Sequence, residues 1–140
     1  MDADLLRRYR FHREHNGGWV GHDAEVALRA ARVEILLDEA IDLGLAEVAW
    51  EWDDEPYDCG DDDPEWVARQ FESNAWTGPF GCVLTLNGEV LTSVWGVVVG
   101  PRGTDDPYCR VTVSDLALEI EDDLRQAIGD HLDAEQPSLL

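Results

Sequence analysis

The chain has 140 residues and a mass of 15.7 kDa, which suits a single domain. It carries 31 Asp and Glu residues against 10 Arg residues and no Lys, so its formal net charge is −21. Such a charge repels phosphate groups and argues against direct binding of nucleic acid. The N-terminus is charged where a signal peptide is apolar, and no apolar run approaches the roughly 18 residues of a membrane helix. The composition therefore predicts a folded acidic protein of the cytoplasm, with no membrane association.

The charge is distributed unevenly along the chain. Residues 1–20 hold four arginines and three carboxylates, and we interpret them as an Arg-rich N-terminal helix or arm. Residues 21–135 hold most of the carboxylates and are expected to form a single acidic α+β domain. A flexible tail is expected at 136–140.

The first half of the chain shows two helical patterns and one strand pattern. A helix is predicted over residues 5–15, and Asn16-Gly17-Gly18 provides its stop. Apolar residues at three- and four-residue steps predict a second helix, with Asp23 as N-cap and Gly44 at its end. Alternation of apolar and polar residues over 47–53 predicts a half-buried strand.

A β-hairpin is the clearest local signal in the sequence. Residues 53–65 contain eight carboxylates and two prolines, which favour an irregular surface loop, and a short helix follows at 64–73. The dipeptide Asn87-Gly88 then joins two largely apolar segments, 79–86 and 89–99, as a two-residue hairpin turn does.

The hairpin register pairs Leu84 with Leu91, and its other face carries an apolar row. The valines predicted on that face are Val83, Val90, Val94 and Val98. An unpartnered apolar sheet face favours association, so we expect homodimerisation through it.

The last segment is predicted to be one helix, from Asp106-Pro107 to about Leu132. Its apolar residues keep helical spacing, with Asp106 as N-cap and Pro107 in the first turn. The fold class that follows is α+β. A three-stranded antiparallel sheet, made of one strand plus the β-hairpin, packs against two long helices in the order α-α-β-(α)-β-β-α.

Three segments carry a resemblance to a group of proteins: WEWDDEPYDCGD at 50–61, GCVLTLNGEVLTSVWG at 81–96 and DPYCRVTVSDLALE at 106–119. Over roughly residues 8–125, the chain resembles small uncharacterised accessory proteins of bacteriophages and prophages of high-GC bacteria. The resemblance implies a viral or mobile-element accessory protein, and it implies no activity, substrate or catalytic residue. The all-Arg basic set also indicates a GC-rich genome, because Lys codons are A-rich.

An acidic and aromatic surface is the candidate site for a partner. Carboxylates beside an exposed aromatic side chain are typical of an interface that meets an Arg-rich protein. The predicted partner-binding residues are Trp52, Asp53, Asp54, Glu55, Asp58, Asp61, Asp62, Asp63, Glu119, Asp122 and Asp123. Two interpretations stay open. The carboxylates imitate duplex phosphates and block a basic host or viral protein, such as a nucleic-acid-binding or defence protein, or the acidity only keeps the domain soluble.

Known catalytic and metal-binding motifs do not occur in the sequence. The carboxylates of 53–65 lack the spacing of an EF-hand, the three cysteines include no C-x-x-C, and there is no P-loop, G-x-S-x-G or G-x-G-x-x-G. We therefore predict a non-enzymatic protein with no metal and no cofactor. The alternative is a divalent-metal-dependent hydrolase or nuclease that uses the 53–65 carboxylates.

The remaining reactive and aromatic residues are interpreted as core. Cys82 lies on the inward side of the predicted hairpin, where an inert buried thiol is expected. Most of the six tryptophans are expected in the core, because large aromatic side chains dominate burial in small domains.

Overall fold

The computed structural model describes residues 2–15, 23–55 and 57–135. They form five α-helices, a short 3₁₀ turn and three strands, so the predicted α+β class is confirmed. The elements are α1 (Ala3–His15), α2 (Ala24–Asp42), β1 (Ala46–Trp52), α3 (Pro64–Glu72), β2 (Thr77–Leu86), β3 (Glu89–Val99), α4 (Pro107–Glu119) and α5 (Glu121–Glu135). The predicted stop at Asn16-Gly17-Gly18 and the predicted tail at 136–140 lie outside the described residues.

The strands form one antiparallel sheet in the order β1-β2-β3. β1 pairs with β2 without a register shift, and Trp52 lies opposite Phe80 at one end. Asn87 and Gly88 both have positive φ, 53° and 79°, as a two-residue hairpin turn requires. The predicted hairpin is therefore confirmed.

The predicted hairpin register is wrong beyond its first two pairs. Thr85 lies opposite Val90 as predicted, but Leu84 lies opposite Thr92 instead of Leu91. An irregularity between these pairs adds one residue to β3. The side chains of residues 92–94 are therefore turned to the face opposite to the predicted one, and a further irregularity follows between the Cys82 and Phe80 pairs.

The inserted residue also separates the four valines that were expected on one face. Val94 packs against the helix-covered core, whereas Val83 lies on the opposite face. Val90 is exposed, and Val98 is half-buried at the far end of β3. These valines do not form one apolar face, so the grouping is wrong, and homodimerisation stays a prediction without this support.

Aspartates cap the beginnings of α2, α3 and α4. The side chains of Asp23, Asp63 and Asp106 accept hydrogen bonds from backbone N–H groups in the first turns of α2, α3 and α4. The caps predicted at Asp23 and Asp106 are therefore confirmed. Gly44, with φ +76°, follows the end of α2 as predicted.

A break at Ile120 divides the predicted C-terminal helix into α4 and α5. Ile120 has φ −116° and ψ 24°, and its N–H bonds to the carbonyl of Ala117 in a tighter turn. Ile120 and Leu124 are both buried, so apolar residues keep their helical spacing across the break. Because the spacing is uninterrupted, the sequence predicts one helix. The signal for a new start is the acidic triplet 121–123, since carboxylates favour the first turn of a helix.

The hydrophobic core lies between one face of the sheet and the helices α2, α4 and α5. Val33 of α2, Leu84 of β2 and Leu124 of α5 are each 1% exposed or less. α1 packs against α2 and α4 beside this core. Within the described ranges, every helix is too short or too polar to cross a membrane.

Candidate functional site

The acidic loop predicted at 53–65 is shorter in the structure, because α3 begins at Pro64; the loop, residues 53–63, lies at the end of the sheet where β1 ends and β2 begins. β3 ends there too, and it is followed by the loop 100–106. We call this region the acidic end; it comprises Trp52, loop 53–63 and loop 100–106. Trp52 is 64% exposed, and its ring centroid lies 4.7 Å from that of Phe80. An aromatic pair, with Trp52 exposed and Phe80 half-buried, therefore adjoins the carboxylates.

Three of the loop carboxylates order the loop itself. Asp53 accepts the N–H of Glu55 at 3.0 Å through Oδ1 and the N–H of Gly96 in β3 at 2.9 Å through Oδ2. Asp58 and Asp63 each accept an N–H two residues ahead, from Gly60 at 2.8 Å and from Glu65 at 3.0 Å. These side chains shape the turn and cap α3, so their function is at least in part structural.

The other four loop carboxylates are exposed and accept no such bond from the described residues. They are Asp54, Glu55, Asp61 and Asp62. Within the described part of the chain, no loop carboxylate lies within ion-pair distance of a basic group. Their charges are therefore available to a partner.

A cluster of aromatic rings lies beside the acidic loop and packs it onto α3. Tyr57 of the loop lies 5.7 Å from Phe71 and 6.4 Å from Trp76, measured between ring centroids. Trp66 lies 5.3 Å from Trp76, edge to face. This packing holds the loop in place.

The tryptophans are more exposed than the sequence suggests. Trp52, Trp66 and Trp95 are 64%, 41% and 48% exposed, and Trp50 and Trp76 are half-buried. For these five residues, the expectation of a mostly buried set is wrong. The aliphatic side chains of the helices and β2 fill the core instead.

The predicted carboxylates of α4 and α5 lie near the hairpin turn, away from the acidic end. Glu119 accepts a hydrogen bond at 2.5 Å from the hydroxyl of Thr92, and Asp123 lines a shallow cleft with Asn87. Asp122 is exposed in the first turn of α5. Thr92, which contacts Glu119, lies opposite Leu84, whereas Val97 lies opposite Phe80 near the acidic end. Leu84 and Phe80 are four residues apart along β2, which corresponds to about 13 Å. The structure thus separates the predicted site residues into two groups.

Among the described residues, no group of three or more His, Cys, Asp or Glu side chains is arranged to hold a metal ion. All three cysteines are free thiols, and Cys82 and Cys109 are buried. Burial, with a smaller contribution from Cys109, raises the pKa of the Cys82 thiol to about 11, as expected for an inert core cysteine.

Sequence reasoning missed a buried ion cluster that joins α1, α2 and α4. Glu34 is 6% exposed and accepts hydrogen bonds from Arg110, at 2.6 Å from Nε and 2.8 Å from Nη2. The Ser114 hydroxyl donates a third bond at 3.1 Å. His12, 1% exposed, places Nε2 3.2 Å from Glu34 Oε1, an ion-pair distance without hydrogen-bond geometry.

The cluster keeps the Glu34 carboxylate ionised. Burial alone raises the pKa of Glu34. The hydrogen bonds that Arg110 donates, together with the proximity of His12, outweigh burial and lower this pKa to about 2. Because its charged groups pair with one another within the fold, we assign the cluster a structural role. The sequence signal for this cluster is the position of Glu34, three residues before Leu37 on the buried face of α2.

No family model matches the chain, and no match was found among curated proteins or solved structures. The function is therefore inferred from the site itself.

Proposed function

We propose that this protein is a non-enzymatic binding protein that docks its acidic end on a basic surface of another protein. The observation that carries the proposal is a set of exposed, unpaired carboxylates beside Trp52, which is 64% exposed. Carboxylates attract a basic surface over distance and orient the encounter. A tryptophan at the centre of such a patch supplies the apolar anchor that interfaces favour.

The charge distribution within the fold supports the same proposal. Several arginines already form ion pairs within the fold, as Arg8 does with Asp38 at 2.8 Å and Arg110 with Glu34. The loop carboxylates have no such pairs in the described residues. A basic partner would therefore form new ion pairs without first breaking existing ones.

The sharper form of the proposal is that the partner is a nucleic-acid-binding or defence protein of a host. The acidic end would then occupy the groove that otherwise takes phosphates. The separation of the two carboxylate groups favours a local contact over an extended imitation of a duplex. The phage or prophage origin and the cytoplasmic location stay predictions from the sequence.

A pull-down with the tagged full chain tests the proposal. Lysate of a GC-rich bacterium is passed over it at about 0.15 M and at about 0.5 M salt, since exposed charge pairs weaken as the Debye length shrinks. We expect a basic protein that is retained at low salt, released at high salt and displaced by duplex DNA. Trp52→Ala should reduce capture, whereas Val90→Ala, an exposed residue near the hairpin turn, should not. Retention that is indifferent to salt and to Trp52→Ala would contradict the proposal.

A further inference from the structure

A groove runs past the N-terminal end of α4, within the acidic end. One cleft of about 330 Å³ includes Asp105 and Asp106 in its lining, and a second of about 360 Å³ shares Asp106 and Cys109 with it. The aromatic residues that line the two clefts are Phe11, Trp50, Trp76 and Tyr108. Aromatic walls with a few convergent polar groups are characteristic of ligand sites.

The carboxylates of this groove have no counter-ion. Within the described ranges, neither Asp105 nor Asp106 lies within ion-pair distance of a basic group. Arg110 also lines the first cleft, but its guanidinium is engaged by Glu34 and lies 3.8 Å from the ring centroid of Phe11. The cleft therefore keeps a negative charge.

One carboxylate oxygen of the groove lies close to a glycine. Asp106 accepts the N–H of Tyr108 through Oδ1 at 2.9 Å, while Oδ2 accepts no hydrogen bond from the described residues. A Cβ added to Gly100 would lie 2.7 Å from that Oδ2. Any other residue at position 100 would crowd this oxygen, so its approach to the backbone there requires a glycine.

We infer that the groove binds an arginine side chain of the basic partner, with its guanidinium between Asp105 and Asp106 and against the indole of Trp50. Guanidinium is planar, pairs with carboxylates through a fixed fork of donors and stacks on aromatic faces. The second cleft, lined by Trp76 and Tyr108, takes the apolar residue next to that arginine. This inference rests on the proposed function and names the residue that the acidic end recognises.

The two carboxylates of the groove also act on a neighbouring thiol. Burial, followed by the charges of Asp106 and Asp105, raises the pKa of Cys109 at the junction of the two clefts. Burial is the larger cause and disfavours a charge of either sign, while the two carboxylates add a negative field at the junction.

An NMR titration of the full chain tests the inference. The probe is N-acetyl-arginine amide, and the control is N-acetyl-citrulline amide, which has nearly the same shape but no charge. We expect saturable shifts of the Trp50 indole N–H and of the amides of residues 104–106, with a Kd on the order of millimolar for so small a ligand. The citrulline compound should leave these resonances in place.

Paired variants localise the effect. Asp105→Asn/Asp106→Asn removes two charges while Asn preserves the helix cap, and it should weaken binding at least about fivefold. Asp61→Asn/Asp62→Asn removes two exposed charges from loop 53–63 and should change binding by less than about twofold. Equal loss in both variants, no loss in the first, or an equal response to citrulline would overturn the inference.

Capture of the partner separates this inference from the proposed function. If the wild-type chain captures a basic protein and the Asp105→Asn/Asp106→Asn variant captures it equally well, the groove assignment is wrong and the proposed function stands. If the chain captures no basic protein, the proposed function is wrong, while the titration still reports on the groove.

Discussion

Arg110 holds Glu34 with two hydrogen bonds, at 2.6 and 2.8 Å, across 76 residues of sequence. The same guanidinium covers the ring of Phe11, so one side chain of α4 contacts both α1 and α2. Breaking a buried pair of this kind leaves an uncompensated charge, which costs more than the pair gains in forming.

The first prediction concerns the stability that this pair contributes. Glu34→Gln should lower the free energy of unfolding by about 3 kcal/mol, because it removes the buried carboxylate that pairs with Arg110 and His12. Glu39→Gln, an exposed change on the same helix, should alter it by less than about 0.5 kcal/mol. Urea denaturation at pH 7 measures both, and equal stabilities would show that the pair is not stabilising.

The second prediction follows from the lowered pKa of Glu34. A carboxyl whose pKa falls from 4.5 to about 2 on folding stabilises the fold above pH 4.5, and loses that effect as the pH falls toward 2. This difference corresponds to about 3 kcal/mol. The stability gap between wild type and Glu34→Gln should therefore be largest above pH 5 and should shrink toward pH 2.

Urea denaturation of both chains at a series of pH values measures that gap. Comparison with Glu34→Gln matters because other carboxyls change with pH too. Burial, with a contribution from Glu119, raises the pKa of Asp115, which acts in the opposite sense. A gap that is constant from pH 7 to pH 2 would be inconsistent with an ionised, hydrogen-bonded Glu34.

The third prediction uses two glycines with opposite surroundings. A Cβ at Gly81 would lie 2.2 Å from the ring of Trp95, which covers it on the neighbouring strand, so Gly81→Ala should displace the indole and cost about 1–3 kcal/mol. At Gly129 in α5 a Cβ meets nothing within 4 Å, so Gly129→Ala should stabilise by about 0.5–1 kcal/mol. Thermal unfolding measures the stability of both variants, and tryptophan fluorescence reports a displaced Trp95 indole. Stability changes of the same sign in the two variants would contradict this prediction.

The fourth prediction separates structural from available carboxylates in the acidic loop. Asp53→Ala removes two hydrogen bonds, one of them to Gly96 of β3, and should cost about 1–2 kcal/mol. Asp54→Ala removes an exposed group without such bonds and should be neutral in stability. Chemical denaturation distinguishes them; an equally tolerant Asp53 would mean that the loop is ordered by its aromatic contacts alone.

Local chemistry made much of the fold predictable. The caps at Asp23 and Asp106 and the turn at Asn87-Gly88 each depend on a few adjacent residues, and each is confirmed. The β3 register depends instead on which side chains pack inward. Leu91 and Val94 both contact the core, and the inserted residue makes that possible. No sequence alternation reports such a choice.

The candidate site was only partly predictable for the same reason. Residues 53–65 were predicted as an exposed acidic loop, and residues 53–63 form it in the structure. The partners of Glu34 are 76 and 80 residues away in sequence, at Arg110 and Ser114, so no local pattern indicates them. The groove beside Trp50 likewise forms only when loop 100–106 folds back against α1 and β1.

The most direct test of the proposed function compares two variants of equal net charge. One neutralises the four available loop carboxylates, with Asp54→Asn, Glu55→Gln, Asp61→Asn and Asp62→Asn. The other neutralises four exposed carboxylates of α5, with Asp122→Asn, Asp123→Asn, Asp130→Asn and Asp133→Asn. Titration against the basic protein recovered from the pull-down should show a large loss of affinity for the loop variant and a small one for the α5 variant. Equal losses would contradict a docking site at the acidic end, because they would show that only total charge matters.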